Sequence, residues 1–365
     1  MVSKFHAADG LCIRANDVLK GLLDGGHEVH AFTQSKKVDG LPSKRVHRFS
    51  AVQLNPHFSI DSISSVRMIA RESRRHKIDV LHVQMNSGST EFVLPFFKKS
   101  LPPLALTYHL AYAQGSSMYT TIFGIAWKAS LYAARKYDEV ILVDPSQKPH
   151  FVGNGIPEEK ISVIKNGIET DVFIPPKKAK DDGIVDFVFV GRLSYDKGAH
   201  LLLKAFGEYH RINPQSRLTL IGDGMVKPQI NGTVDDDSIR WIGTIPHEKI
   251  PEVLGKMDVF VIPQNIGGLG LSVMEAMSCE LPVITTAIGE TIRLLTDEEG
   301  VLVKPDSMKA VLEGMKFLGD SPDLRKSMGR KCREKIVKSY SWKTQIESLE
   351  KSYERAIAHS KNTQH

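Results

Sequence analysis

Two short stretches of this 365-residue chain carry the residue types and spacings that could do chemistry. The first is Gly191-Arg192-Leu193, directly after the apolar run Phe187–Val190, with Lys197-Gly198 following at the start of a helical pattern. Arg192 and Lys197 therefore project from the carboxyl end of a buried strand. A guanidinium and an ammonium held there can clamp a diphosphate and neutralise a leaving phosphate. The plainer explanation for two loop cations is a solvated surface.

The second stretch is VIPQNIGGLGLSVMEAMSCELP, ending at Pro282. An apolar strand, Val259–Ile262, ends in Pro263 and a loop holding Gly267, Gly268 and Gly270. Leu271, Met274, Met277 and Leu281 then recur at helical spacing, and Pro282 closes the helix. Strand, glycine loop and helix N-terminus together form an anion site. Glycine lets a ligand approach the backbone, the first amides point outward, and the helix dipole favours negative charge. Glu275 lies one turn into this helix. Its carboxylate suits the vicinal hydroxyls of a ribose, or simply complements the helix N-terminus.

Alternating elements must position these groups. Asp9-Gly10 turns the chain into a helix over Leu11–Leu23, and Gly25-Gly26 stops it before a strand at Glu28–Thr33. That β-α-β unit is the building block of a parallel sheet. Strands follow at 45–49, 80–84, 104–109, 139–143 and 161–164, with helices at 60–76 and 119–137. Residues 174–183, IPPKKAKDDG, read as a surface linker. Beyond it come strands at 187–190, 218–221, 239–242, 259–262, 283–285 and 300–303, with helices between them and a charged helical tail over 307–318 and 322–360. The class is α/β with two doubly wound parallel sheets, 1–173 and 184–340. Runs apolar on both faces suit sheets covered by helices on both sides. Such sheets bind ligands at the carboxyl ends of their strands, here in a cleft between domains.

Composition bounds the rest. Hydrophobic residues make up 41% and charged residues 25%, enough for two globular cores. No apolar run approaches the roughly 20 residues needed to span a bilayer, and no secretory segment opens the chain. Cys12, Cys279 and Cys332 are scattered without metal spacing, which suits reduced thiols in the cytoplasm. Residues 36–77 carry ten Lys/Arg against three Asp/Glu. A solvated face, an anionic inner membrane surface contacted peripherally, or a phosphorylated acceptor each fits that excess. Nucleic acid is not expected, because no interleaved aromatics or recognition motif accompany the charge. Asp235-Asp236-Asp237 sits in a polar loop and reads as a solvated turn.

The chain resembles the retaining glycosyltransferases of family 4, which have the GT-B fold. The resemblance rests on order and spacing along most of the chain: GHEVHAFT at 26–33, TYH ending at His109, VIKNGIETDVF at 163–173, FVGRLSYDKG at 189–198 and LIGDG at 220–224. It continues with GLGLSVMEAMSCELPVI at 268–284, GVLVKP at 300–305 and the SMGRK…YSW tail. It implies transfer of a sugar from a nucleotide-diphosphate donor, UDP- or GDP-linked, to a glycan, lipid-linked or phosphorylated acceptor, with no metal or other cofactor. It assigns the donor diphosphate to Arg192 and Lys197, backbone contacts to Gly268, Leu269, Gly270 and Leu271, and the ribose to Glu275. The resemblance also implies that Gly10 faces the phosphates, that His109 reaches the donor sugar, and that the segment 241–245, with Thr244 and Ile245, lines the base. By the same resemblance the last segment, 341–365, is expected to cross back to the N-terminal domain.

One departure stands out. The first glutamate of the family's E-x7-E motif falls at Gly267. A different donor, a substitute such as Gln264 or Asn265, and a catalytically silent, regulatory member all remain open. A sugar-nucleotide epimerase on a similar fold lacks acid–base residues to support it.

Overall fold

The computed structural model describes residues 1–363 apart from 4, 6–9, 36–37, 54–58, 63, 86–88, 109–127, 176–182, 227–237 and 266–269. The chain forms two compact units, Met1–Gly167 with Trp342–His365, and Ile168–Ser341.

In the first unit helix α1, Gly10–Asp24, precedes strands β1 (Ala31–Thr33) and β2 (Val46–Arg48). A short antiparallel hairpin follows, β3 (Ala51–Gln53) with β4 (Ser59–Asp61), then helix α2 (Ser64–Arg75). Strands β5 (Leu81–Met85), β6 (Leu104–Tyr108), β7 (Glu139–Leu142) and β8 (Ile161–Val163) pair in that order, all parallel. Val2 bridges Phe32 of β1 and Val83 of β5, so β2-β1 and β5-β8 form one continuous sheet. The sequences LHVQM, LALTY and EVIL are buried at every position. Helices on both faces leave no polar side for an alternating pattern.

Local sequence misplaces the start of α2. Ile60 is expected in the helix but lies in β4. Asp61 ends that hairpin and accepts the Thr90 amide at 2.8 Å, a long-range contact that periodicity cannot register. The strand expected from Glu28 contracts to Ala31–Thr33.

The terminal helix, Trp342–Thr363, belongs to this unit. Tyr353 Oη lies 2.7 Å from His82 Nδ1, and Glu350 Oε1 lies 2.8 Å from His27 Nε2. Arg355 Nε donates to Glu139 Oε1 at 3.0 Å, and Ser162 Oγ bonds both residues. Glu139 is fully buried, and burial raises its carboxyl pKa against the opposing pull of Ser162 and Arg355. Arg355→Leu is therefore expected to cost about 1.5–3 kcal/mol of stability, because the buried carboxylate loses a charge-assisted bond and keeps only Ser162 and, at 3.6 Å, His359 beside it. Urea unfolding checks this. Glu139→Gln in the same background should recover most of the loss.

The second unit holds β9 (Val185–Val190), β10 (Ser216–Ile221), β11 (Ile239–Gly243), β12 (Val259–Ile262), β13 (Val283–Thr286) and β14 (Gly300–Val303). They form one parallel sheet in the order β11-β10-β9-β12-β13-β14. Helix α3, Ala199–Ile212, follows β9, and helix α4, Leu271–Ser278, follows β12. Phe187 packs edge-on against Phe206 and Tyr209 of α3, with ring centroids 6.3 and 5.3 Å apart. The long tail helix expected over 322–360 breaks at Ser341, which is extended and bridges Ile168 in parallel. Among the described residues, no helix is long and apolar enough to cross a membrane. Cys279 and Cys332 are buried free thiols, and burial pushes the Cys279 thiol up to about 12.

Candidate functional site

The sheet of the second unit winds outward in both directions from β9 and β12. Counted within the unit, its order is 3-2-1-4-5-6. The strand order therefore reverses between β9 and β12, and the crevice at their carboxyl ends is where a ligand fits such a sheet. Both chemical stretches of the sequence emerge there, the Arg192 loop from β9 and the Pro263 loop from β12.

Arg192 leaves β9 with its side chain 67% exposed and donates to Asp196 Oδ2 at 2.9 Å. Leu193 plugs the core between the two cations at 0% exposure. Lys197 is half-buried, and its Nζ donates to Gln264 Oε1 at 3.1 Å, across from β9 to the end of β12. Burial lowers the Lys197 pKa, Asp196 opposes that shift and Arg192 adds to it. Gln264 is fully buried, and its backbone carbonyl accepts a bond from Thr286 Oγ1. It anchors the lysine and supplies no carboxylate in place of Gly267. Asn265 donates its side-chain amide to Asp306.

Gly198 ends the turn with φ 71° and caps α3. A Cβ there would lie 1.9 Å from the Pro263 carbonyl oxygen. The β9–α3 and β12–α4 connections thus approach as closely as a glycine allows.

Gly270 is the N-cap of α4, in extended conformation, and no side chain caps the helix among the described residues. The first-turn amides of an uncapped helix are available to an anion. Leu271 is partly buried against the core, which fixes that turn. Gly267, Gly268 and Leu269 lie outside the described residues, as does His109. Gly10 opens α1 of the first unit.

Glu275 is buried, and its Oε1 lies 2.8 Å from His247 Nε2. His247 follows β11 and packs its ring against Phe173, with centroids 5.5 Å apart. Thr244 is exposed and Ile245 half-buried in the connection just before it. Trp241 Nε1 donates to the Gly222 carbonyl at 2.8 Å, tying β11 to the end of β10. The fold therefore joins Lys197 to Gln264 and Glu275 to His247. It places Arg192 and Lys197 on one loop and Gly270, Leu271 and Glu275 on one helix. Gln264 as lysine anchor and His247 as carboxylate partner escape sequence reading. Their partners lie 67 and 28 residues away, with no motif linking them.

Two family models match the chain in tandem. Glycosyltransferase Family 4 covers residues 9–172, and Glycosyl transferases group 1 covers residues 171–335. The chain belongs to the group 1, family 4 glycosyltransferases. One component of the phosphatidylinositol N-acetylglucosaminyltransferase of Arabidopsis thaliana is 25% identical over 296 residues, which cover 78% of this chain and 63% of that protein. The chain thus spans less than two thirds of that relative's length. A glycosyltransferase from Rickettsia africae superposes with TM-score 0.75 at 15% identity, over 98% of this chain and 97% of that one. HepE of Anabaena, solved in complex with UDP-glucose, superposes with TM-score 0.70 at 16% identity, over 96% and 98%. The fold of this family 4 glycosyltransferase is GT-B, as its structural neighbours and paired parallel sheets agree.

Proposed function

We propose that the chain is a retaining glycosyltransferase that moves a sugar from a nucleotide-diphosphate donor to a glycan, lipid-linked or phosphorylated acceptor. The observation that carries this reading is the pair Arg192 and Lys197 at the reversal point of the second sheet, with Lys197 anchored to the end of β12. Two cations and the first amides of α4 would hold the diphosphate and stabilise charge as the glycosidic bond breaks. The departing phosphate would accept the acceptor's proton on the face it leaves, which gives retention. Glu275 would hold the ribose with the oxygen that His247 does not occupy. The complex of HepE with UDP-glucose supports a UDP-type donor.

A thermal-shift series with UDP, GDP and ADP, followed by the matching sugar donors, tests the reading. A bound nucleotide raises the melting point by mass action, and no response at millimolar concentration from any of them removes the proposal. Glu275→Gln is expected to weaken nucleoside diphosphate binding about 10–100-fold, the worth of hydrogen bonds to a charged group. A 2′,3′-dideoxy nucleoside diphosphate should lose far less, since it lacks the hydroxyls. Calorimetry of both ligands checks this.

Arg67, Arg71, Arg74 and Arg75 are exposed along α2, which supports an acceptor that is anionic or lies at an anionic membrane. Gly267 favours one other reading, a silent regulatory member. Binding of donor without transfer or hydrolysis across a donor and acceptor panel would select it.

A further inference from the structure

In the first unit three histidines from three different elements converge. His30 stands immediately before β1, His47 in the middle of β2, and His76 immediately after α2. The parallel register pairs Phe32 with His47, and side chains two apart share a face, so His30 and His47 point the same way. The C-terminus of α2 brings His76 over them. The His30 and His47 rings stack with centroids 5.3 Å apart and 12° between planes. The His76 ring centroid lies 4.3 Å from that of His30 and 5.3 Å from that of His47.

One ring nitrogen from each histidine lies within 4.8 Å of the other two. His30 Nδ1 and His47 Nε2 are already 3.0 Å apart. Neighbouring nitrogens around a tetrahedral zinc, bonded at about 2.0–2.1 Å, are roughly 3.4 Å from each other. Small ring rotations span the difference. Two carboxylates stand behind the rings, Glu28 Oε1 at 3.5 Å from His30 Nε2 and Glu72 Oε2 at 3.7 Å from His76 Nε2. A carboxylate on the far nitrogen of a ligating imidazole is the usual device that orients the ring and raises its basicity. Burial lowers the pKa of His30, reinforced by His76, and that of His47, reinforced by His30.

The trio lines a cavity of about 610 Å³. Lys44, Arg45 and Arg75 share its walls. Arg45 is held by Glu28 at 3.1 Å and Arg75 by Glu72 at 3.7 Å, which limits their repulsion of a dication. The cavity lies at the amino ends of the strands, where α2 returns toward β5. Ligands of the reaction belong at the opposite, carboxyl ends.

We propose that His30, His47 and His76 form a three-imidazole site for a divalent transition metal of the zinc class, which clamps β1, β2 and α2 together at the amino edge of the first sheet. Imidazole suits Zn²⁺, Co²⁺ and Ni²⁺, and three ligands leave a fourth position for water or a small anion. The site is independent of the transferase reading.

The test titrates the full chain, stripped with chelator, with CoCl₂ alone and then with ZnCl₂. The expected result is one equivalent of Co²⁺ with the visible d–d bands of a four-coordinate nitrogen-rich site, bleached by Zn²⁺, and a melting point raised by Zn²⁺. His47→Gln and His76→Gln, which leave the buried His30 in place, should each weaken Co²⁺ binding beyond about 100-fold. Glu28→Gln, which keeps all three ligands, should weaken it about tenfold. Absence of stoichiometric Co²⁺ uptake by the parent chain overturns the proposal. So does uptake unchanged in both histidine variants, or a melting point that inorganic phosphate raises and neither metal does.

Discussion

Lys197→Ala is expected to lower kcat/KM for the nucleotide-sugar donor by about 10²–10³-fold, the usual cost of removing one preorganised group from a developing anion. The ammonium is half-buried and directed by Gln264 Oε1 at 3.1 Å, so its orientation is set before donor arrives. Arg192→Ala should cost a similar amount, but with a larger share in KM, because its side chain is exposed and pairs with Asp196. Lys197→Arg should not rescue turnover, since a planar fork does not fit a position shaped around one ammonium. Gln264→Leu tests the anchor itself. It leaves both cations in place and should lower kcat about tenfold while the melting point moves little. Initial-rate kinetics on the variants decide the matter, and a Lys197→Ala enzyme within twofold of the parent would remove this residue from the reaction.

Gly198→Ala is expected to destabilise the second unit by more than about 3 kcal/mol. Two penalties coincide there. The backbone is left-handed, with φ 71°, and the new Cβ would lie 1.9 Å from the Pro263 carbonyl oxygen, which cannot rotate away. The β9–α3 loop or the β12–α4 loop must then shift, and the first carries Lys197 while the second carries its anchor. Donor turnover should therefore fall further than the lost folded fraction explains. Guanidinium unfolding measures the first effect and kinetics at 10 °C, where the variant stays folded, the second. A variant with the parent's stability would mean that the two loops are not locked together by this contact.

Much of this architecture is legible in the chain. VDFVFV and VFVI are apolar at nearly every position because both faces of a parallel strand are covered, and that pattern alone places them correctly. LHVQM shows the limit of the rule. Its histidine and glutamine are as buried as its leucine, because His82 bonds Thr107 Oγ1 at 2.7 Å and Tyr353 from the last helix. The β3–β4 hairpin escapes sequence reading because three-residue strands carry too short a pattern, and Asp61 ties it to an amide 29 residues away. Helical periodicity likewise runs through the break at Ser341, where the chain bridges Ile168, and only the family resemblance, which begins the last segment at 341, marks that position.

The sequence by itself determined the class of fold, the family and the identity of the cations and helix on which the proposed chemistry rests. Those depend on local pattern, on glycine at tight turns and on residue types whose chemistry does not change with context. Only the tertiary structure decided that Lys197 is held by Gln264, that Glu275 is held by His247, and that three histidines 17 and 29 positions apart share one cavity. The reason is physical. Parallel strands pair only after a crossover, so residues meeting at a sheet edge come from segments that no spacing rule connects.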